Sequence, residues 1–453
     1  MDHNSKHAAS EVNFVRQIVQ FVALLAGAFT FLCGYAVVAF WAFLRPPKPW
    51  RNLRPVVLML ASADMPAHLA NNSRGLIEHV FERPNTRYTM VLHVGDCAPA
   101  VTRATHRVIG VDIRLPTLAR HRWTPRFFRM IVREAWGLIS TYKIARRLRP
   151  VAIEAWSPSA LVPRATLLRW LLPVKLVTQV RGNVDVIAYH SGVPVYLPFR
   201  VATGTGIVIG TMFDKLVSLL FFRACDLVQG LSVNTLESAV SNGAHPAKAR
   251  LFRIAVEPGI ADLPILPRRD LEGFPAEGRV VTLWSRLAAD KLVRESLEGI
   301  QLLLSTHPDV GFVMIGDGPL QPELTEWTAV RGLARNVHFV GRRDQKYIRS
   351  AAHYSNVVLV PLGGSSLVEA ALFARPIVAF AIEWHHELIR PGETGYLADY
   401  PDAVDLARQL AEALDNRDEA ERRAGACARL ARVMFDPAIA KAEEKRIWHS
   451  FMP

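Results

Sequence analysis

Two permanent cations stand five residues apart in Ser285-Arg286-Leu287-Ala288-Ala289-Asp290-Lys291, directly after the apolar run Val280-Val281-Thr282-Leu283-Trp284. Gly316-Asp317-Gly318-Pro319 follows a second such run, Gly341 a third, and Pro361-Leu362-Gly363-Gly364-Ser365-Ser366 a fourth. Small residues at a strand-to-helix turn expose backbone N–H groups, and the first turn of a helix favours negative charge. Two cations beside such a turn could hold a phosphate group without a metal ion. Glu369, one turn further on, adds a hydrogen-bond acceptor.

Strand ends must position these groups. Continuous apolar runs such as 55–60, 90–94, 151–155, 174–178, 312–315, 337–340, 357–360 and 377–380 suit strands buried on both faces, and helical patterns alternate with them. The predicted class is α/β, with two doubly wound Rossmann-type domains facing a cleft at the carboxyl ends of their strands. Proline, glycine and charge collect around Pro258-Gly259 and Pro264-Ile265-Leu266-Pro267. They divide an N-terminal domain over 55–260 from a C-terminal domain over 279–435, with 261–278 as linker. A C-terminal helix over 436–453 is expected to pack back on the first domain.

In this setting the second half resembles glycosyltransferase family 4 enzymes of the GT-B fold. Their G-R-L-x-x-x-K, G-x-G-P, V-x-F-x-G, acidic motif ending in E-A, G-x-P-V-V, E-x-I and G-x-x-G have counterparts here in the same order over about residues 279–415. The resemblance implies retaining transfer of a sugar from a nucleotide-diphosphate donor, with Arg286 and Lys291 stabilising charge on the departing phosphate. It implies donor contacts from Gly316, Gly318, Gly363, Gly364, Ser365 and Ser366, and a ribose contact from Glu369. No metal or other cofactor is expected. One feature departs from the pattern: the acid eight residues before Glu369 is replaced by Pro361, in a loop about four residues shorter.

The first half resembles the family more loosely. Val151–Ser157 resembles P-D-V-V-H-A-H-S with Trp156 in a His position, and Val177–Gly182 resembles a strand ending in His-Gly with Arg181 in the His position. Arg181 therefore joins the catalytic candidates, with Trp156 and Asp185 on the acceptor side; a structural ion pair between Arg181 and Asp185 is the alternative.

Residues 21–44 carry no charge over 24 positions, enough for a helix to cross a bilayer. Arg45, Lys48, Arg51 and Arg54 follow with no acid before Asp64, which places the N-terminus (1–20) outside and the remainder in the cytoplasm. Residues 45–54 read as a basic, proline-rich linker. The apolar stretch near 199–222 contains Asp214 and Lys215 and reads as a buried or interfacial helix.

The net charge of +13 implies an anionic partner, and the basic amphipathic stretch from Arg114 to Arg149 suits anionic lipid headgroups. No nucleic-acid-binding signature accompanies it. The four cysteines, Cys33, Cys97, Cys225 and Cys427, show neither disulfide nor zinc spacing.

The expectation is a single-pass membrane glycosyltransferase acting on a glycan or lipid-linked acceptor in polysaccharide, lipopolysaccharide or glycolipid synthesis. Two other readings stay open. One is a nucleotide-sugar epimerase using Asp96 and Asp185; the other is a degenerate scaffold in a polysaccharide assembly complex.

Overall fold

The computed structural model describes residues 29, 33–50, 54–61, 87–94, 102–103, 106–112, 126–157, 161–182, 204–253, 259–275 and 277–451. It divides into two compact units. The first comprises 1–231, 235–251 and 445–453; the second comprises 232–234 and 252–444.

The first unit holds strands β1 (Arg54–Ala61), β2 (Arg87–Val94), β3 (Thr102–Arg103), β4 (His106–Asp112), β5 (Pro150–Ala155), β6 (Lys175–Val180), β7 (Leu227–Gly230) and β8 (Ala249–Leu251). Its helices are α1 (Arg126–Leu148), α2 (Val162–Leu171), α3 (Gly204–Ala224) and α4 (Val233–Ser241). The sheet order is β3-β4-β2-β1-β5-β6-β7-β8, parallel except for the β3–β4 pair. Its core joins Leu58, Leu60, Ile153 and Leu176 from the strands to Leu168, Val217 and Phe221 from α2 and α3.

The second unit holds β9 (Val280–Trp284), β10 (Gly311–Ile315), β11 (Val337–Gly341), β12 (Val357–Val360), β13 (Ile377–Phe380) and β14 (Tyr396–Ala398). Its helices are α5 (Val293–Leu304), α6 (Gln321–Val330), α7 (Gln345–Tyr354), α8 (Ser365–Leu372), α9 (His385–Leu388), α10 (Ala403–Asp415), α11 (Arg417–Met434) and α12 (Pro437–Phe451), the last continuing into 445–451 of the first unit. All strand pairs are parallel, in the order β11-β10-β9-β12-β13-β14. Numbered within the unit this is 3-2-1-4-5-6, the doubly wound arrangement.

Side chains alternate between two cores, as the two-residue period of a strand requires. Val281, Leu283, Phe312, Met314, Leu359 and Phe380 pack with α5, α6 and α10. Val280, Trp284, Val313, Ile315, Val358 and Ala379 pack with α7, α8 and α11. The expected linker over 261–278 is part of this unit, because Leu271 is buried in the second of these cores beside Ile260.

Among the described residues no helix is long and apolar enough to cross a membrane. Residues 21–28 and 30–32 of the expected 21–44 span lie outside the described residues; 33–44 is helical. That segment exposes Val37, Phe40, Trp41, Phe43 and Leu44, while Tyr35 is buried with its ring edge-on to Trp170 at 5.6 Å between centroids. In the expected basic stretch, 114–125 lies outside the described residues and 126–148 is α1, which exposes Trp136, Ile139, Lys143, Arg146 and Arg147.

Between α1 and α2, Arg164 is 3% exposed and its Nη2 lies 2.6 Å from Glu134 Oε2. The other guanidinium nitrogens, Nε and Nη1, have no hydrogen-bond partner among the described residues. Glu134→Ala would therefore strand a buried charge and is expected to lower unfolding free energy by about 3–5 kcal/mol in urea titration. Glu134→Ala combined with Arg164→Met should cost less than Glu134→Ala alone.

Candidate active site

In an open doubly wound sheet the ligand crevice forms where the strand order reverses, outside the carboxyl ends of the strands. Here that point lies between β9 and β12. Ser285, Arg286 and Lys291 leave the end of β9, and Gly363, Gly364, Ser365 and Ser366 leave the end of β12.

The β9 loop is held by the glycine turn after β10. A side chain at Gly316, whose φ is 140°, would collide with the backbone carbonyl of Ser285, and one at Gly318 with that of Leu287. This close approach lets Ser285 N donate to Ile315 O at 3.0 Å, Leu287 N to Asp317 O at 2.8 Å and Leu320 N to Leu287 O at 3.0 Å. The structure thus places Gly316 and Gly318 against the loop that carries Arg286.

The two cations are in different electrostatic states. Arg286 is 60% exposed, and its Nη2 lies 2.8 Å from each carboxylate oxygen of Asp290. Lys291 is partly buried and makes no salt bridge to any described residue. Its ammonium acts on the imidazole of His385 and disfavours that ring's protonation.

His385 opens α9 and is fully buried. Its Nδ1 lies 2.8 Å from the carbonyl of Phe380, so that nitrogen must carry the proton. Its Nε2 accepts the N–H of Gly363 at 2.9 Å. Burial is the main reason that its pKa falls to about 4; the Phe380 carbonyl opposes the shift and Lys291 adds to it. A neutral histidine of one tautomer therefore fixes the loop that opens α8. In that loop Gly364 and Ser365 are exposed and Ser366 is partly buried. No side chain caps the helix, and its first turn contains no acid. The N–H groups of that turn have no intrahelical partner.

Glu369 is 7% exposed. Its Oε2 accepts the Trp284 indole N–H at 2.8 Å, and its Oε1 accepts from Gln345 Nε2 at 3.4 Å. Burial raises its pKa, and these two hydrogen bonds oppose the rise. Glu387, at the far end of α9, is 2.7 Å from Arg253 Nη2, with side-chain exposures of 8% and 17%.

In the first unit the two histidine-position replacements meet each other. The Arg181 guanidinium lies 3.4 Å from the centroid of the Trp156 ring. Trp156 Nε1 donates to Glu154 Oε1 at 3.1 Å, and Arg181 Nη2 donates to Gln179 Oε1 at 3.0 Å. Asp185 and Asp96 lie outside the described residues. Among the described residues no cluster of three His, Cys, Asp or Glu side chains is arranged to hold a metal ion.

Sequence reasoning passed over Asp290, Trp284 and His385. The i, i+4 spacing of Arg286 and Asp290 was a usable signal. So was a tryptophan at the end of a buried run, since its N–H needs an acceptor. Nothing local marks His385, whose partner is 22 residues away in the chain.

Residues 268–430 match the family model described as glycosyl transferases group 1. The chain is 28% identical over 158 residues to alpha-D-kanosaminyltransferase of Streptomyces kanamyceticus, covering 34% of this chain and 41% of that protein. It is 29% identical over 198 residues to phosphatidyl-myo-inositol mannosyltransferase of Mycolicibacterium smegmatis, covering 42% and 48%. The match thus spans less than half the length of these curated relatives. The structure of Anabaena HepE in complex with UDP and glucose superposes with a TM-score of 0.62 at 16% identity, covering 87% of this chain and 99% of that one. That likeness establishes a GT-B-like fold.

The buried imidazole also sets a pH response. His385 has a folded pKa of about 4 against about 6.5 unfolded, so the unfolded chain binds the extra proton between those values. Stability conferred by the neutral ring is present above about pH 6.5 and is lost as pH falls toward 4, by up to about 3 kcal/mol. Urea denaturation of the wild type from pH 7 to 4.5 should show this slope, and His385→Gln should flatten it.

Proposed function

We propose that the chain is a glycosyltransferase using a nucleoside-diphosphate sugar, with the donor diphosphate held at the β9–β12 strand ends. The observation that carries this reading is the convergence of Lys291, Arg286 and the uncapped start of α8 at the reversal point of the sheet within the group 1 match. The UDP bound to the HepE structure agrees with it.

When the sugar departs, negative charge grows on the phosphate that leaves. Lys291, Arg286 and the N–H groups after Gly364 oppose that charge at low reorganisation cost, since both loops are already tied down. Retention of configuration and the absence of a metal requirement belong to this reading. Glu369 is assigned to the ribose, where its oxygens would exchange the longer Gln345 contact for a hydroxyl. On the acceptor side, the Trp156–Arg181 stack lines the carboxyl ends of β5 and β6.

Donor turnover tests the assignment. A charge-assisted contact is worth about 1.5–3 kcal/mol, so Lys291→Ala and Arg286→Ala should each lower kcat/KM by about 10- to 150-fold. The larger loss is expected for Lys291, because Asp290 already offsets part of the Arg286 charge. Hydrolysis or transfer from UDP- and GDP-sugars would be measured with folding checked by melting. Near-normal turnover in both variants, or a strict divalent-metal requirement, would overturn the phosphate assignment.

We further place the enzyme at the cytoplasmic membrane face, acting on a lipid-linked or glycan acceptor. The exposed apolar face of 33–44 and the basic, partly apolar surface of α1 support this. The mannosyltransferase relative from Mycolicibacterium smegmatis is named for a lipid, phosphatidyl-myo-inositol. Protein lacking residues 1–49 is expected to sediment with anionic vesicles at low salt and to be released at about 0.5 M salt, where the Debye length shrinks below about 5 Å. Salt-insensitive or absent binding would count against α1 as a lipid-facing surface.

A further inference from the structure

Along its described residues α3 has one side in the core and one in solvent. Phe213, Val217 and Phe221 are buried in the first unit's core. Met212, Lys215, Leu216 and Arg223 are exposed, Met212 by 68%. At about 100° per residue, the exposed positions form one stripe centred opposite the buried ones. We propose that this stripe docks on an anionic bilayer leaflet, with Met212 and Leu216 entering the acyl boundary and Lys215 and Arg223 meeting headgroup phosphates. This rests on the membrane reading above and extends it to a helix on which that reading does not draw.

Charge on the helix is sorted by side. Both of its cations are on the exposed stripe, and neither makes a salt bridge to any described residue. Its one acid, Asp214, is 1% exposed. Single exposed apolar residues are ordinary on a protein surface. Apolar groups set between cations, with no exposed carboxylate, instead match an interface that is anionic outside and apolar beneath.

Topology puts this stripe on the same side of the sheet as the other exposed apolar groups. The crossovers from β4 to β5, β5 to β6 and β6 to β7 all step one way along the sheet, so right-handed connections lay α1, α2 and α3 on one face. The core agrees, since Ile153, Leu176 and Val228 pack with Ala145 of α1, Leu168 of α2 and Val217 of α3. The 33–44 segment joins this layer through Tyr35, whose ring meets Trp170 of α2. Trp136 and Ile139 of α1, Phe40 and Trp41 of 33–44, and Met212 and Leu216 of α3 are thus exposed on one helical layer.

A flat leaflet can meet all three elements at once. Lys143, Arg146 and Arg147 of α1 are exposed and repeat the charge of α3. A second copy of this chain, packed on the same stripe by two-fold symmetry, would bring these cations against themselves.

The test uses the full chain carrying Cys33→Ser and Cys97→Ser, which leaves the buried Cys225 and Cys427. The environment-sensitive dye NBD is attached through Leu216→Cys or, in a parallel protein, through Ile139→Cys on α1. Each protein is mixed with phosphatidylglycerol-containing vesicles, with and without nitroxide-labelled acyl chains. Dye at 216 should shift to the blue and be quenched by the nitroxide lipids. Lys215→Glu combined with Arg223→Glu should lower that quenching about fivefold or more while leaving quenching at 139 within about twofold. Quenching at 139 but not at 216 would refute docking by α3 and leave the membrane reading standing, and quenching at neither position would overturn both. A blue shift at 216 that the nitroxide lipids do not quench would reveal a protein partner on the stripe and sink the proposal. So would undiminished quenching in the charge-reversed protein or in pure phosphatidylcholine vesicles.

Discussion

The second unit depends on one topological constraint: β9 and β12 are sequence-distant yet pair side by side, through Val281 with Val357 and Thr282 with Val358. Right-handed crossovers from these two strands must run to opposite sides of the sheet, so the loops at their carboxyl ends part and leave an opening. Both faces of the sheet are covered by helices and sealed by apolar side chains, so that opening is where polar groups can gather without a burial penalty. The cations enter from one side of it and the α8 N-terminus from the other.

What keeps this arrangement ordered is mostly uncharged. The β9 loop is bonded to the turn after β10 through backbone groups, and the β12 loop is bonded to a histidine that burial holds neutral. Neutral anchors suit an anion site, because a charged one would compete with the ligand or repel it. Asp290 is the exception. It pairs with the exposed Arg286, while Lys291 makes no salt bridge to any described residue and acts on the His385 ring.

The strands of the second unit were legible because burial on both faces leaves a continuous apolar run with no alternation to misread. Arg286, Lys291 and the glycine turns were legible because they follow such runs directly. His385 was not, since a lone histidine beside Glu387 looks the same whether it serves a neighbouring loop or solvent. The segment around Pro264 read as a linker from its composition, yet Leu271 and Ile260 anchor the flanking chain in a core. The meeting of Trp156 and Arg181 could not be read either: each looked like a separate departure from a pattern, and the parallel pairing of β5 with β6 is what puts them together.

The glycine turn after β10 has an evolutionary consequence. The atoms that exclude a side chain at Gly316 and Gly318 are the main-chain carbonyls of Ser285 and Leu287. A clash against a side chain can be relieved by trimming that side chain elsewhere in the sequence, but every amino acid carries the same carbonyl. No second substitution at 285 or 287 could therefore restore room, and lineages that lose either glycine have no short route back through compensation at the contacting residues.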